Sequence, residues 1–330
     1  MVKFICFGLE GLLSSQDNAC ELMKLFANGD KIFEVISRYD DLLALEGRDG
    51  YQPGDILALI VPFLVLHNIS EDNIASLASK ARLTGGAAEL VSQLQSRSWK
   101  IFSIGTSYQQ YAVRITQKLG IYAHNVAGTL FPLDRFRAAL GQEDSALLRQ
   151  AEQDILAMSP LDDDDRLKQR LDYFFWEKLP AIDLGRAIKE VKPVGGRRRV
   201  VALNKFADNC EQPLSRWVVV GDSITDFKML QAVEGAGGLA IAFNASEYVL
   251  PCATMSLAST SISDLTEVSD AWQKDGRGGV EEIVKEKKKI GATGDRGYFH
   301  WLSGSKDIGE VVNIHKRIRR LVRQEAGKPG

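Results

Sequence analysis

Cysteine and histidine are both scarce in this chain of 330 residues, with four of each. Cys6, Cys20, Cys210 and Cys252 lie far apart, with no C-x-x-C pair and no matching histidines. That pattern argues against a zinc site and a disulfide framework, and it points to a reducing, cytoplasmic setting. No charge of one sign dominates: 41 basic against 43 acidic residues leave a net charge of -2. The chain as a whole therefore attracts neither nucleic acid nor an anionic membrane, and such a partner would need a local patch. Long apolar runs are missing as well. The longest, residues 56–66, contains Pro62 and is too short to span a bilayer, so it reads as a buried helix or a cap segment. The first residues are apolar only as far as Glu10, without the basic and long apolar regions of a signal peptide. No internal repeat or low-complexity linker is present. What remains is an ordinary globular composition, 45% apolar and 25% charged, enough for two domains or one core with large insertions.

Residues 217–230 read W-V-V-V-G-D-S-I-T-D-F-K-M-L. Val218, Val219 and Val220 form a run expected to be a strand buried on both faces, and Gly221 permits a sharp turn after it. Asp222 then stands at the strand's carboxyl end. Ser223 or Thr225 can cap the helix that follows, which places Asp226 in its first turn. Two converging carboxylates need a cation. The crevice outside the strand ends of a parallel sheet binds ligands, so the pattern favours Mg²⁺ and a phosphate there. The plainer alternative is a turn aspartate followed by an acid favoured by the helix dipole.

From the start of the chain, residues 2–7 read as a buried strand ending in Gly8-Leu9-Glu10-Gly11. Residues 14–82 turn helical, with Asp17 or Asn18 as a start signal and a further helix near Asp55. Residues 87–95 are expected as a helix, 100–104 as a strand, 109–119 as a helix and 121–127 as a weak strand. Between them, Thr106 and Ser107 offer hydroxyls either to a phosphoryl oxygen or to the cap of the next helix. Residues 130–190 are polar and helical; the acidic run 162–165 reads as a solvated helix start and the aromatics 173–176 as core. Residues 192–199 form a glycine-bearing basic loop entering a helix, from which Lys192 or Arg199 either reaches an anion or stays at the surface. The glycines at 235, 237 and 238 follow a helix and are expected to end it. Residues 239–243 read as a strand with Asn244 just beyond, and 252–257 as a final edge strand. Residues 308–324 keep apolar helical spacing beside a basic side of Lys316, Arg317, Arg319, Arg320 and Arg323. Docking on the core is expected, with RNA or acidic lipid as the sharper alternative.

These strand ends together resemble the haloacid dehalogenase (HAD) superfamily of phosphatases and phosphotransferases. Gly221, Asp222 and Asp226 match its G-D-x-x-x-D signature, and residues 238–248 are similar to the stretch that follows in phosphoserine-phosphatase-like members. The layout also resembles an archaeal group of uncharacterised members. The resemblance implies an α/β fold, a Rossmann-like doubly wound parallel sheet with an inserted helical cap. Its core would comprise residues 1–14, 85–127 and 190–265, with 15–84 as the cap, 128–189 as a second helical insertion and 266–330 as a C-terminal helical extension. It further implies Thr106, or Ser107, as the second-motif hydroxyl and Lys192 or Arg199 as the third-motif cation. These residues and Asn244 are the candidate phosphate ligands. Asp222, Asp226 and the backbone carbonyl of Glu10 would hold Mg²⁺.

The first motif departs from the family. Where it has an aspartate nucleophile and an aspartate acid/base, this sequence has Gly8 and Glu10. Glycine cannot form an aspartyl-phosphate, while Glu10 keeps a carboxylate in the acid/base position. The leading expectation is a protein that binds Mg²⁺ and a phosphorylated small molecule with weak or absent phosphohydrolase activity. Two alternatives keep an active hydrolase. In one Glu10 activates water; in the other Gly8 is an engineered or erroneous Asp, one nucleotide away. A regulatory protein acting through the basic C-terminal helix is a third, although no nucleic-acid or membrane partner is expected.

Overall fold

A computed structural model describes residues 2–15, 18–158, 163–305 and 307–325. Asp17, Asp162 and the side chain of Arg323, singled out above, lie outside the described residues.

Seven strands form one sheet: β1 (Lys3–Gly8), β2 (Trp99–Tyr108), β3 (Val126–Thr129), β4 (Trp217–Gly221), β5 (Leu239–Phe243), β6 (Met255–Ala258) and β7 (Tyr298–Trp301). Their order is β3-β2-β1-β4-β5-β6-β7, and all neighbours are parallel except β6 and β7. Alternation within single strands explains why the sheet is covered on both faces. Ile5, Phe7, Val218 and Val220 enter one apolar cluster, whereas Phe4, Cys6, Trp217 and Val219 enter another. The chain leaves β1 toward β2 on one side and β4 lies on the other, so the order reverses between β1 and β4. A crevice opens at the carboxyl ends of such a pair.

Two departures from expectation concern strands. β2 runs four residues past Ile104 to Tyr108, so Thr106 and Ser107 belong to the strand, with a register shift against β3. β6 is not an edge: β7, from the polar region expected to be helical, pairs antiparallel along it. Its Y-F-H-W sequence is aromatic-rich but only four residues long, too short to carry a period.

The helices between β1 and β2 pack against those between β3 and β4. The bond of Arg38 to Asp164 (2.7 and 3.1 Å), the Phe63–Phe174 ring contact (6.2 Å) and the Tyr39–Phe175 stack (5.8 Å) join the two stretches. Of the four aromatics at 173–176, Phe174 and Phe175 are buried while Tyr173 and Trp176 are exposed. Residues 56–66 are helical, as Ile56–Leu59 and Val61–Leu66 with a break before Pro62, and all but the half-buried Ile56 and Ala58 are buried. The last helix, Gly309–Glu325, docks on the core through Val311, His315 and Ile318.

Candidate active-site crevice

Glu10, two residues beyond β1, reaches across to the end of β2. Its carboxylate accepts hydrogen bonds from the amides of Thr106 (3.2 Å) and Ser107 (2.8 Å) and from Ser107 Oγ (2.6 Å). Gly105 makes the approach possible, since a β-carbon there would stand 2.9 Å from Glu10 Oε1 and 2.8 Å from Leu9 Cβ. The extension of β2 therefore aims two amides and a hydroxyl at one point, and Glu10 occupies that point.

Arg199 is the cation that joins this group. It is the third residue of helix Arg197–Asn209, and its side chain is 1% exposed. Nη1 pairs with Asp226; Nη2 donates to Glu10 (3.2 Å) and Thr106 Oγ1 (3.0 Å); Nε donates to the Val194 carbonyl (3.2 Å). Three arginines open that helix with no acid in the first turn, an arrangement the helix dipole opposes. The carboxylates compensate: Arg198 pairs with Asp55, and Arg199 with Asp226 and Glu10. Burial pushes the Arg199 guanidinium toward neutrality, but Asp226, Glu10 and Asp222 outweigh it and hold the charge more firmly than usual. Burial likewise raises the Glu10 carboxyl, yet Arg199 and the Ser107 hydroxyl and amide bring it below the ordinary carboxylate range. Lys192, the other third-motif candidate, is exposed, and its charge acts on Asp55.

At the end of β4, Asp226 is itself the cap residue of helix Phe227–Gly235, one position before the first turn where it was expected. Its Oδ2 accepts from the amides of Asp222 and Ser223 (both 3.1 Å) and from Ser223 Oγ (3.2 Å), which folds the turn back on itself. Gly11, at φ +80°, passes so close that a β-carbon would stand 2.4 Å from Asp222 Oδ2. The Asp222 carboxylate faces Arg319 at 3.2 Å. Arg319, on the last helix, also donates to the carbonyls of Asp222 (2.6 Å) and Asn244 (3.1 Å). Sequence reasoning placed Arg319 on a basic outer side and missed it as a site residue. The signal was present: 311, 315, 318, 319 and 322 fall on one helical face.

Asn244 lines the crevice, but its side chain is engaged within the fold. Its amide donates to the Ser259 carbonyl (2.7 Å) and accepts from the Ser259 amide (2.9 Å), so both ends of the side chain fasten a turn. The expected Mg²⁺ ligands are likewise engaged by other groups of the chain. One oxygen of Asp226 is held by Arg199 and the other by three donors, while Arg319 lies against Asp222. A divalent ion placed among these carboxylates would meet two guanidinium groups. Among the described residues no group of three or more His, Cys, Asp or Glu side chains is arranged to hold a metal. The residues present do not fit Mg²⁺.

Above the crevice lies a cavity of about 590 Å³, with Glu10, Thr106, Asp222 and Arg319 on one side and Asp40 and Asp41 on the other. Burial pushes the Asp40 carboxyl up to about 7; the Tyr51 hydroxyl lowers it, and Asp41 and Asp55 raise it. The loop carrying Gly54 closes over Thr106, where a β-carbon on Gly54 would stand 2.4 Å from Thr106 Cγ2.

No protein-family model matches the chain, and no curated protein matches it. Among solved structures, gene product AF1437 from Archaeoglobus fulgidus superposes with a TM-score of 0.85 over 99% of both chains, at 28% identity. A substrate-bound phosphoserine phosphatase complex gives 0.53 at 17% identity, over 81% of this chain and 98% of that one. A probable phosphoserine phosphatase from Vibrio cholerae gives 0.52 at 15% identity, over 86% and 67% respectively. The phosphatase likenesses speak for the fold, and the sheet order and crevice described above agree with them. The chain therefore has the α/β fold of the haloacid dehalogenase-like superfamily, phosphoserine-phosphatase-like in its core, and is similar along its whole length to the archaeal structure.

Proposed function

We propose that this chain binds a phosphorylated small molecule in the crevice, with phosphohydrolase activity weak or absent. Gly8 carries the reading: the resemblance puts the nucleophile at this position, glycine has no side chain to attack phosphorus, and the space beside it holds Arg199 and Asp226. The carboxylates at the strand ends, Glu10, Asp226 and Asp222, each meet an arginine. Glu10 is saturated by Thr106, Ser107 and Arg199 and its carboxyl lies below the ordinary range, so it is a poor base for activating water. A phosphoryl group suits the donors that Glu10 now occupies: two amides, a hydroxyl and a buried guanidinium. Binding is then an exchange of one anion for another, with the charge supplied by Arg199 and Arg319 and with Mg²⁺ left out of the reading. The cap residues Asp40 and Asp41 would face the rest of the ligand.

The basic C-terminal helix gives weaker support to a nucleic-acid or membrane partner. Lys316, Arg317 and Arg319 each meet a carboxylate of the chain itself, Glu247, Asp295 and Asp222.

A panel of phosphomonoesters assayed with and without Mg²⁺, beside the Gly8→Asp variant, tests the proposal. The expected result is no turnover by the wild-type chain above the enzyme-free blank. Mg²⁺-dependent turnover by the wild-type chain well above the blank would end it, whatever the Gly8→Asp variant does. Sequencing the source gene at codon 8 settles whether the glycine is native.

A further inference from the structure

The crevice brings together three carboxylates, Glu10, Asp222 and Asp226, from two separate stretches of chain. Such a cluster repels itself unless a cation sits inside it. We propose that the guanidinium of Arg199 takes the place of a divalent cation here, so that the chain keeps its crevice in register without Mg²⁺, and a divalent-ion site opens only when the charge of Arg199 is removed. The inference rests on the site reading above only for the location of the crevice.

Geometry carries it. The two Nη atoms of Arg199 bridge Asp226 and Glu10, linking the end of β4 to the loop after β1. Nη2 reaches Thr106 Oγ1 as well, so one planar group touches the ends of β1, β2 and β4. A side chain at position 8 would crowd it, because a β-carbon on Gly8 would stand 3.2 Å from Nη1. The helix start that delivers Arg199 is itself fixed. Gly196, at φ +51°, donates to the Thr225 carbonyl (3.0 Å), the Arg197 amide donates to Gln52 Oε1 (3.1 Å), and Arg198 pairs with Asp55. Glycine at 196 provides the left-handed turn that this start requires. Arg199 is thus held by its backbone and by four acceptors, and it is not a surface side chain that has strayed inward.

The test is thermal unfolding of the full chain in EDTA and in millimolar Mg²⁺ or Mn²⁺, with Mn²⁺ binding read by its electron paramagnetic resonance. The wild-type chain is expected to show the same Tm in both conditions and no bound Mn²⁺. Arg199→Ala should unfold several degrees lower in EDTA, recover in Mg²⁺ and bind Mn²⁺. Arg199→Gln, which keeps hydrogen-bond donors without the charge, should behave likewise and serves if the alanine variant is unfolded in EDTA. Mn²⁺ bound to the wild-type chain and lost in Asp226→Asn would overturn the inference. So would indifference of both variants to the metal. Neither outcome depends on turnover, so failure here is distinct from failure of the phosphomonoester assay.

Discussion

Gly8 and Arg199 compete for one space: a β-carbon on Gly8 would stand 3.2 Å from Arg199 Nη1, 2.9 Å from Asp226 Oδ1 and 3.0 Å from Leu12 Cδ1. Gly8 is a strand residue with no left-handed backbone, so the constraint is steric alone. Asp226 cannot yield easily, since its other oxygen is held by three donors. Gly8→Ala is therefore expected to destabilise the fold by about 1–3 kcal/mol, the usual cost of overpacking a tight site. Urea unfolding measures it; an unchanged midpoint would mean the pocket relaxes around the methyl group.

Arg319 ties the last helix to the end of β4 through the Asp222 carboxylate and two backbone carbonyls. Replacing it with methionine keeps the stem and deletes these contacts. The expected loss is about 1–3 kcal/mol. A double-mutant cycle with Asp222→Asn should show a coupling energy near 1 kcal/mol, because the two side chains are in contact. Strict additivity would place the effect of Arg319 in the carbonyl bonds alone.

His315 is fully buried, and its Nδ1 accepts from the Ala245 amide (2.8 Å). Burial first, then the positive charges of His300 and Arg319, hold its pKa down to about 3 against an ordinary 6.5. The unfolded chain thus binds a proton that the folded chain refuses. His315 stabilises the fold above pH 6.5, and that contribution is lost as the pH falls toward 3. The slope from this one group approaches about 1.4 kcal/mol per pH unit within that window. His315→Asn, which keeps an acceptor for Ala245, should flatten this part of the stability curve. An unaltered acid limb would assign the loss to the carboxylates instead.

Asp40 works in the opposite direction. Its carboxyl, raised from 3.8 to about 7 by burial and by Asp41 and Asp55 against the Tyr51 hydroxyl, keeps its proton in the folded chain after the unfolded chain has lost it. Stability from this group is present below pH 3.8 and falls as the pH rises to about 7. Asp40→Asn accepts the same Tyr51 hydrogen bond without a charge, and should be more stable than wild type at neutral pH with the advantage shrinking in acid. A constant difference across pH would show that Asp40 does not titrate in this range.

Much of the crevice was legible in the sequence because local pattern fixed it. The Val218–Val220 run with Gly221 and two acids four residues apart identifies a strand end, a turn and a helix start without help from elsewhere. Thr106, Ser107 and Glu10 were legible as candidates, but not their mutual contact, which depends on β2 running past Ile104. The choice between Lys192 and Arg199 was not made on local grounds. Arg199 lies four and seven residues before the buried Leu203 and Phe206, which puts it on the inward face of its helix, whereas Lys192 precedes the helix. Asn244 shows the opposite limit. A polar residue past a strand end suits a ligand or a turn equally well, and its turn partner, Ser259, lies fifteen residues on, out of reach of any local pattern. β7 was invisible because four residues cannot display a period.

The position of Arg319 also bears on how the protein is made. A ribosome delivers Glu10, Asp222 and Asp226 well before residue 319, while Arg199 precedes the two aspartates it helps to hold. β1, β2 and β4 can therefore close around Arg199 during synthesis, but Asp222 waits for its cation until helix Gly309–Glu325 has left the exit tunnel. Docking of that helix then adds a second guanidinium to a crevice that Arg199 already holds.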